Sequence, residues 1–376
     1  MSNVPKLRFS DFQDNWMPHR IMDIGKVSMC KRVFKEQTTS AGDIPFFKIG
    51  TFGKLPDAFI SSALYEEYRA KYSFPKVGDI LISASGTIGR TVVFDGAPAY
   101  FQDSNIVWID NDENLVLNKF LLYCYENTHW TTEDTTIARL YNDNLKKIPI
   151  ILPAIKEQQK IADFLTSVDN KIEQLSKKQE LLGEYKKGLM QKIFRGELRF
   201  KADDGSEFPD WEEKKLGDVA KITTGSSNRE DSGLDGQYTF FDRSEDIRTS
   251  ERYLFDGKAV IVAGEGSSFP PKYFEGKFDL HQRTYAIMDF IEADTKFIFY
   301  LIDKHKNYLL RYAVGSTVKS LRLPIFQKMP VRLPLLEEQT KISNFLSSID
   351  NKIEQVGEQL DKSKEFKKAL LQQMFV

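Results

Sequence analysis

The chain writes one segment twice. Residues 156–174 and 337–355 are identical at 13 of 19 positions at an offset of 181. Leu189-Met190-Gln191-Lys192-Ile193-Phe194 recurs as Leu370-Leu371-Gln372-Gln373-Met374-Phe375, and the approach Ile148-Pro149-Ile150-Ile151-Leu152-Pro153 stands opposite Met329-Pro330-Val331-Arg332-Leu333-Pro334. At the front of each half, Trp16 with Ile21, Asp23 and Ile24 recurs as Trp211 with Leu216, Asp218 and Val219. Between front and tail, identity nearly vanishes. A period this long means duplicated domains and not a solenoid. A repeated tail beside a varied body predicts two different surfaces on one frame.

The tails predict long helices. Lys156 to Arg195 contains no Pro and only Gly183 and Gly188. Apolar residues at Ile161, Leu165, Val168, Ile172, Leu175, Leu182, Leu189 and Ile193 alternate steps of four and three, the seam of a coiled coil. The second tail supplies Ile342, Leu346, Ile349, Ile353, Val356, Leu360, Leu370 and Met374. Pro153 and Pro334 precede the helices, and early acids at Glu157 and Glu337-Glu338 suit a helix start. About 40 residues at 1.5 Å rise give roughly 60 Å. Such helices are expected to pair antiparallel with each other, in preference to each packing on its own body. Gln179, Lys186, Ser363 and Lys367 interrupt the seam, so part of each helix is expected to face water or a partner. Residues 156–201 carry 11 basic and 7 acidic side chains, and residues 337–376 carry 6 and 7. That is too little positive charge for a rod that grips phosphate, so the helices read as spacer and docking frame.

The bodies mix short strands with helices, an α+β or mixed α/β pattern. In the first, strands are predicted at 45–49, 79–83, 91–94 and 105–109, and helices at 62–72 and 118–127. In the second, strands are predicted at 238–241, 259–263 and 285–290, and a helix at 295–306. A core-like strand runs into a glycine loop in each: Gly78-Asp79-Ile80-Leu81-Ile82-Ser83-Ala84-Ser85-Gly86-Thr87-Ile88-Gly89-Arg90, and Gly257-Lys258-Ala259-Val260-Ile261-Val262-Ala263-Gly264-Glu265-Gly266-Ser267-Ser268. Glycine permits positive φ and close approach of a ligand, although a plain turn would use it too. No Gly-Lys-Ser/Thr follows, so this is not a P-loop. Further on stands another matched pair of polar clusters, Gln102-Asp103-Ser104-Asn105 and His281-Gln282-Arg283-Thr284. Such side chains suit base edges: Asn and Gln pair with adenine, Arg with guanine.

Composition excludes several classes. With 53 Lys+Arg against 54 Asp+Glu the net charge is -1, which excludes a polybasic coat but not a binder with segregated charge. Cys30 and Cys124 are the only cysteines, so a disulfide scaffold is excluded and a reducing, cytoplasmic setting is expected. The opening residues are polar and no apolar run reaches 18 residues, so neither a signal peptide nor a membrane span is expected. The motifs of serine hydrolases, zinc proteases, zinc deaminases and amino-methyltransferases are missing. No metal site and no cofactor is expected.

The chain resembles the DNA-specificity (S) subunit of type I restriction-modification systems over nearly its whole length. The resemblance rests on the repeated tail, the Pro-x-x-Leu-Pro-x-x-x-Glu-Gln approach ending at Glu157-Gln158 and Glu338-Gln339, and the segment Gly78 to Gly89. It implies two target-recognition domains, 1–152 and 201–333, and two long helices, 153–200 and 334–376, that form an antiparallel coiled coil with pseudo-twofold symmetry. It implies double-stranded DNA as ligand, methyltransferase subunits docked on the helices, and restriction-translocase subunits joined through the complex. The S subunit is itself non-catalytic. The second body departs from the pattern with Gly264-Glu265-Gly266-Ser267, and Gly315-Ser316-Thr317 has only Asp134-Thr135-Thr136 opposite it. Candidate DNA contacts in the first body are Lys48, Thr51, Lys54, Thr87, Arg90, Gln102, Ser104 and Asn105. In the second they are Arg243, Ser267, Lys272, His281, Gln282, Arg283, Lys319 and Arg322. A structural adaptor that bridges proteins without touching DNA is the rival reading.

Overall fold

A computed structural model describes residues 4–128, 130, 140, 142–244 and 246–376. Asp134-Thr135-Thr136 lies outside them. The chain divides into two compact units, Met1–Leu175 with Gln359–Val376, and Ser176–Glu358. The two long helices are Ile155–Phe194 and Leu336–Met374, so each unit takes the opening turns of one and the closing turns of the other.

In the first unit the strand Ile106–Asn111 is central. It pairs antiparallel with Gly25–Ser28 and with Ile80–Ser83, which pairs in turn with Thr91–Val93. A second sheet sets Ile44–Phe47 antiparallel to Phe59–Ile60 and parallel to Tyr100–Phe101. The second unit joins the corresponding strands into one six-stranded sheet. Thr284–Met288 lies between Lys221–Thr224 and Phe255–Ala263, and Lys272–Leu280 runs on to a parallel partner, Tyr238–Phe241. The sheets are mostly antiparallel and the helices pack against them, so the fold is α+β. The strand expected at 285–290 stops at Met288, because Asp289 takes φ 48°. The helix expected at 295–306 breaks after Lys304 at His305, whose backbone leaves helical geometry. Its start is well capped: the Asp294 carboxylate accepts from the Phe297 amide at 2.8 Å.

The long helices enter both cores. Ile161 and Leu165 share the first core with Leu370, Met374 and Phe375. Ile342 and Leu346 share the second with Met190 and Ile193. Each core holds a matched aromatic triad, Trp16–Phe120–Phe375 and Trp211–Phe297–Phe194, with centroids 5.3–6.3 Å apart. Within each unit the helix segments run antiparallel. Lys367 pairs with Asp169 at 2.8 Å, while Phe375 meets Trp16, whose indole faces Glu157. Pairing and packing on a body are thus both realised, where the periodicity set them as alternatives.

Lys186 and Lys367, two of the seam positions expected to face water or a partner, are matched by carboxylates within the chain. Lys367 bridges Asp169 and Glu126 over the Tyr123 ring, and Lys186 reaches Asp350 over the Tyr300 ring. Burial alone would lower the Lys367 pKa, but its hydrogen bonds to Asp169 and Glu126 outweigh that and raise it. Tyr123 and Tyr300 donate to the same carboxylates, at 2.8 and 2.6 Å. A polar cluster inside an apolar seam fixes register, because a slipped pairing would leave its charges unmatched.

The Glu-Gln pairs at the start of the two long helices also gain a physical role. Arg8 grips Glu157 through two bonds of 2.7 and 2.8 Å, and Arg199 grips Glu338 with the same distances. The indoles of Trp16 and Trp211 donate to these carboxylates at 3.4 and 3.2 Å. Gln158 and Gln339 each donate to two carbonyls and accept one amide of the adjoining loop. These buried clamps seat each body on its helix.

Candidate nucleic-acid interface

Three loops converge at one edge of the first body. They follow the strands Ile44–Phe47 and Ile80–Ser83 and the strand Tyr100–Phe101. An open cleft of about 220 Å³ between the first two is lined by Ile49, Gly50, Lys54, Ser83, Gly86, Thr87 and Arg90. Lys54 and Thr87 are exposed there. Arg90 is tied inward, its guanidinium donating to the Phe52 carbonyl at 3.0 Å. Lys48 pairs with Asp57 at 2.8 Å, and the Thr51 hydroxyl accepts from the Lys48 amide, closing its own turn. Gln102 accepts from the Ile49 amide at 2.9 Å, which joins the third loop to the first. Asn105 accepts from the Ser85 hydroxyl at 2.9 Å, which joins the third to the second. Gly89 sits at φ 80° with the Trp130 indole 2.2 Å from where a Cβ would stand, so only glycine fits.

The second body repeats the arrangement with other chemistry. Its cleft, about 270 Å³, is lined by Arg243, His281, Gln282 and Arg283 together with Arg229, Asp242 and Glu265. Arg283 donates to Glu265 at 2.7 Å, and Arg243 stands 3.8 Å from the same carboxylate. Gln282 donates to Asn228 at 2.6 Å. Burial, and then the positive Arg283 and Arg243 against the opposing Asp242, leaves the His281 pKa below its ordinary value, so the ring is a neutral donor and acceptor. Lys319 lies beside the cleft because Glu265–Gly266 pairs antiparallel with Lys319–Ser320. Ser267 is exposed on the same loop, and Arg322 is exposed just beyond Leu321. Lys272 spans to the Ser244 carbonyl at 2.9 Å and lies over the Phe241 ring.

Backbone hydrogen bonds fix the correspondence between the bodies. The Ala84 amide donates to Asn105 O at 2.7 Å, and the Gly264 amide to Arg283 O at 2.8 Å. Leu140 donates to Ala84 O and Leu321 to Gly264 O, both at 2.8 Å. The Gln102 amide donates to Phe47 O, and that of His281 to Phe241 O. Gln102 therefore matches His281, but Asn105 matches Arg283, not Thr284. The two matched clusters thus differ by one residue in the spacing between these anchor points. The first turn closes from Ile106 to Gln102 and the second from Thr284 to His281, one residue shorter, and Ser104 absorbs the extra residue at φ 55°.

The family model of the type I restriction modification DNA specificity domain matches residues 13–182 and again 209–362. The chain belongs to this family. Among the relatives of this specificity-domain protein, a Haemophilus influenzae protein assigned as a type I restriction enzyme specificity subunit is 66% identical over 144 residues, 38% of this chain and 37% of that protein. A Methanocaldococcus jannaschii protein assigned likewise is 25% identical over 96% of this chain and 94% of its own length. The crystal structure of the type I S subunit from M. genitalium superposes with a TM-score of 0.68 at 17% identity, covering 99% of both chains, which establishes the shared fold.

Sequence reasoning on this specificity-domain chain missed Arg229, Asp242 and Glu265. Glu265 stands in the quoted glycine loop, and its acidic character hid it from a search for DNA-binding cations. Among the described residues no cluster of His, Cys, Asp and Glu could hold a metal, and no helix is long and apolar enough to cross a membrane.

Proposed function

We propose that this chain is the DNA-reading, non-catalytic specificity subunit of a type I restriction-modification complex, working in the cytoplasm on double-stranded DNA. Each body, 1–152 and 201–333, reads one half of a two-part sequence. The helices, 153–200 and 334–376, set the gap and dock methyltransferase subunits, through which restriction-translocase subunits join. The observation that carries this reading is the duplicated three-loop site with different side chains in its two copies. A frame that repeats its supports and varies its loops suits two unlike half-sites. The balanced charge fits a subunit whose partners share phosphate neutralisation. The partners supply S-adenosylmethionine and ATP chemistry.

The test is methylation mapping. The chain is co-expressed with the methyltransferase encoded with it, and host DNA is sequenced for modified bases. A split motif that depends on this chain is expected. A stable complex that adds no methylation would favour the adaptor reading.

A further inference from the structure

The same place in the two bodies carries opposite chemistry. Ser85 follows Ala84 as Glu265 follows Gly264, and Asn105 corresponds to Arg283 by the backbone bonds above. One body therefore presents a neutral Ser–Asn pair with its hydrogen bond at 2.9 Å, the other an ionic Glu–Arg pair at 2.7 Å. Both pairs bridge the glycine loop to the third loop.

We infer that this pair is the specificity-determining position of the protein, with Arg283 reading a guanine in one half-site and Asn105 reading an adenine at the corresponding place in the other. The inference rests on the proposed function. Arg283 is well exposed, at 63%, yet one edge of its guanidinium is anchored by Glu265, itself only 18% exposed. An anchored fork loses less freedom on binding and turns its remaining N–H groups toward the O6 and N7 acceptors of guanine. Glu265 is a positioning residue, and its charge also repels a phosphate from the seat meant for a base. Asn105 keeps a second lone pair on its amide oxygen after accepting from Ser85, as a bidentate contact to adenine N6 and N7 requires. Arg229, Arg243 and Lys319 border the second pair, and Lys54 lines the first body's cleft with Gly86 and Thr87 of the glycine loop. These are cations placed for backbone phosphates.

The experiment maps methylation directed by the full chain with its methyltransferase, for wild type, Arg283→Ala, Arg283→Lys, Glu265→Gln and Asn105→Ala. The wild-type motif is expected to hold a G·C pair in one half-site. Arg283→Ala should erase the preference there by at least about tenfold, leaving the other half-site intact. Arg283→Lys should not restore it, since lysine returns the charge without the fork. Glu265→Gln should weaken the same position, and Asn105→Ala should relax an adenine in the opposite half. Should Arg283→Ala fail to fold, Asn105→Ala still decides. A half-site pair built of A·T alone, full rescue by lysine, or a uniform fall in methylation with an unchanged motif would each overturn the inference while the proposed function stands. A wild-type chain that directs no split motif removes the proposed function and this inference with it.

Discussion

Replacing Arg199 by Ala should be among the most damaging single changes in the second body. The Glu338 side chain is fully buried, and Arg199 meets it through both carboxylate oxygens at 2.7 and 2.8 Å. The hydrogen bond to Glu338 is the main reason the Arg199 pKa lies above its ordinary value. At a charge separation near 4 Å and an effective dielectric of 20 the attraction is about 4 kcal/mol. Removing the arginine leaves a buried carboxylate with only the Trp211 indole at 3.2 Å, and such breaks cost about 3–5 kcal/mol. For a domain of this size that is a fall of roughly 6–20 °C in Tm. Glu338→Gln should cost less, about 1–3 kcal/mol. The amide oxygen still accepts from Trp211, and Arg199, 28% exposed, can turn to water. Urea unfolding of the full chain, followed by circular dichroism, measures both. The reasoning is refuted if Arg199→Ala stays within about 1 kcal/mol of wild type, or if Glu338→Gln is the more damaging change.

Lys54 is exposed beside the first cleft, so Lys54→Ala should weaken DNA binding alike on all sequences and reduce the salt slope by about 1, which titration at several salt concentrations reads. Gly225→Ala would set a Cβ 1.6 Å from the Leu280 carbonyl oxygen. A loss of about 3 kcal/mol or more is expected, and wild-type stability would contradict the packing. Burial pushes the Cys30 thiol up to about 12 and raises that of Cys124 as well, so iodoacetamide at pH 8 should label neither until denaturant is added. His281 and His305 both have pKa values lowered by burial from 6.5. The unfolded chain then binds more protons, so their contribution is complete above pH 6.5 and lost as pH falls toward the folded values. His281→Gln with His305→Gln should flatten the fall in second-body stability between pH 7.5 and 5.5, and an unchanged slope would exclude the histidines as its source.

Local chemistry was legible in the sequence where it is periodic or punctuated by glycine. The helix over 118–127 has the expected bounds, and the glycine loops lie in equivalent places. The clamps were not legible. Glu157 and Glu338 looked like ordinary helix-start acids, because their arginines lie 149 and 139 residues away and are not related by the tail's offset. The extra residue at Ser104 was hidden for the same reason: a comparison at fixed spacing cannot place one inserted residue between two strands. Lys186 and Lys367 misled because charge suggests water, whereas their carboxylates come from the other long helix.

The placement of identity follows from what each contact costs to change. Exposed pairs such as Lys48–Asp57 contribute about 0–1 kcal/mol, so loop residues can be exchanged with little effect on folding. Breaking a buried clamp at Glu157 or Glu338 costs several times more, and a misplaced seam lysine would lose its only matched carboxylates in the core. The two halves have therefore kept their tails and let their loops diverge. Ser85–Asn105 and Glu265–Arg283 differ completely in charge yet hang from the same backbone hydrogen bonds. A new pair can be written at that position without rebuilding the frame, so the surface can change while the stability of the fold is kept.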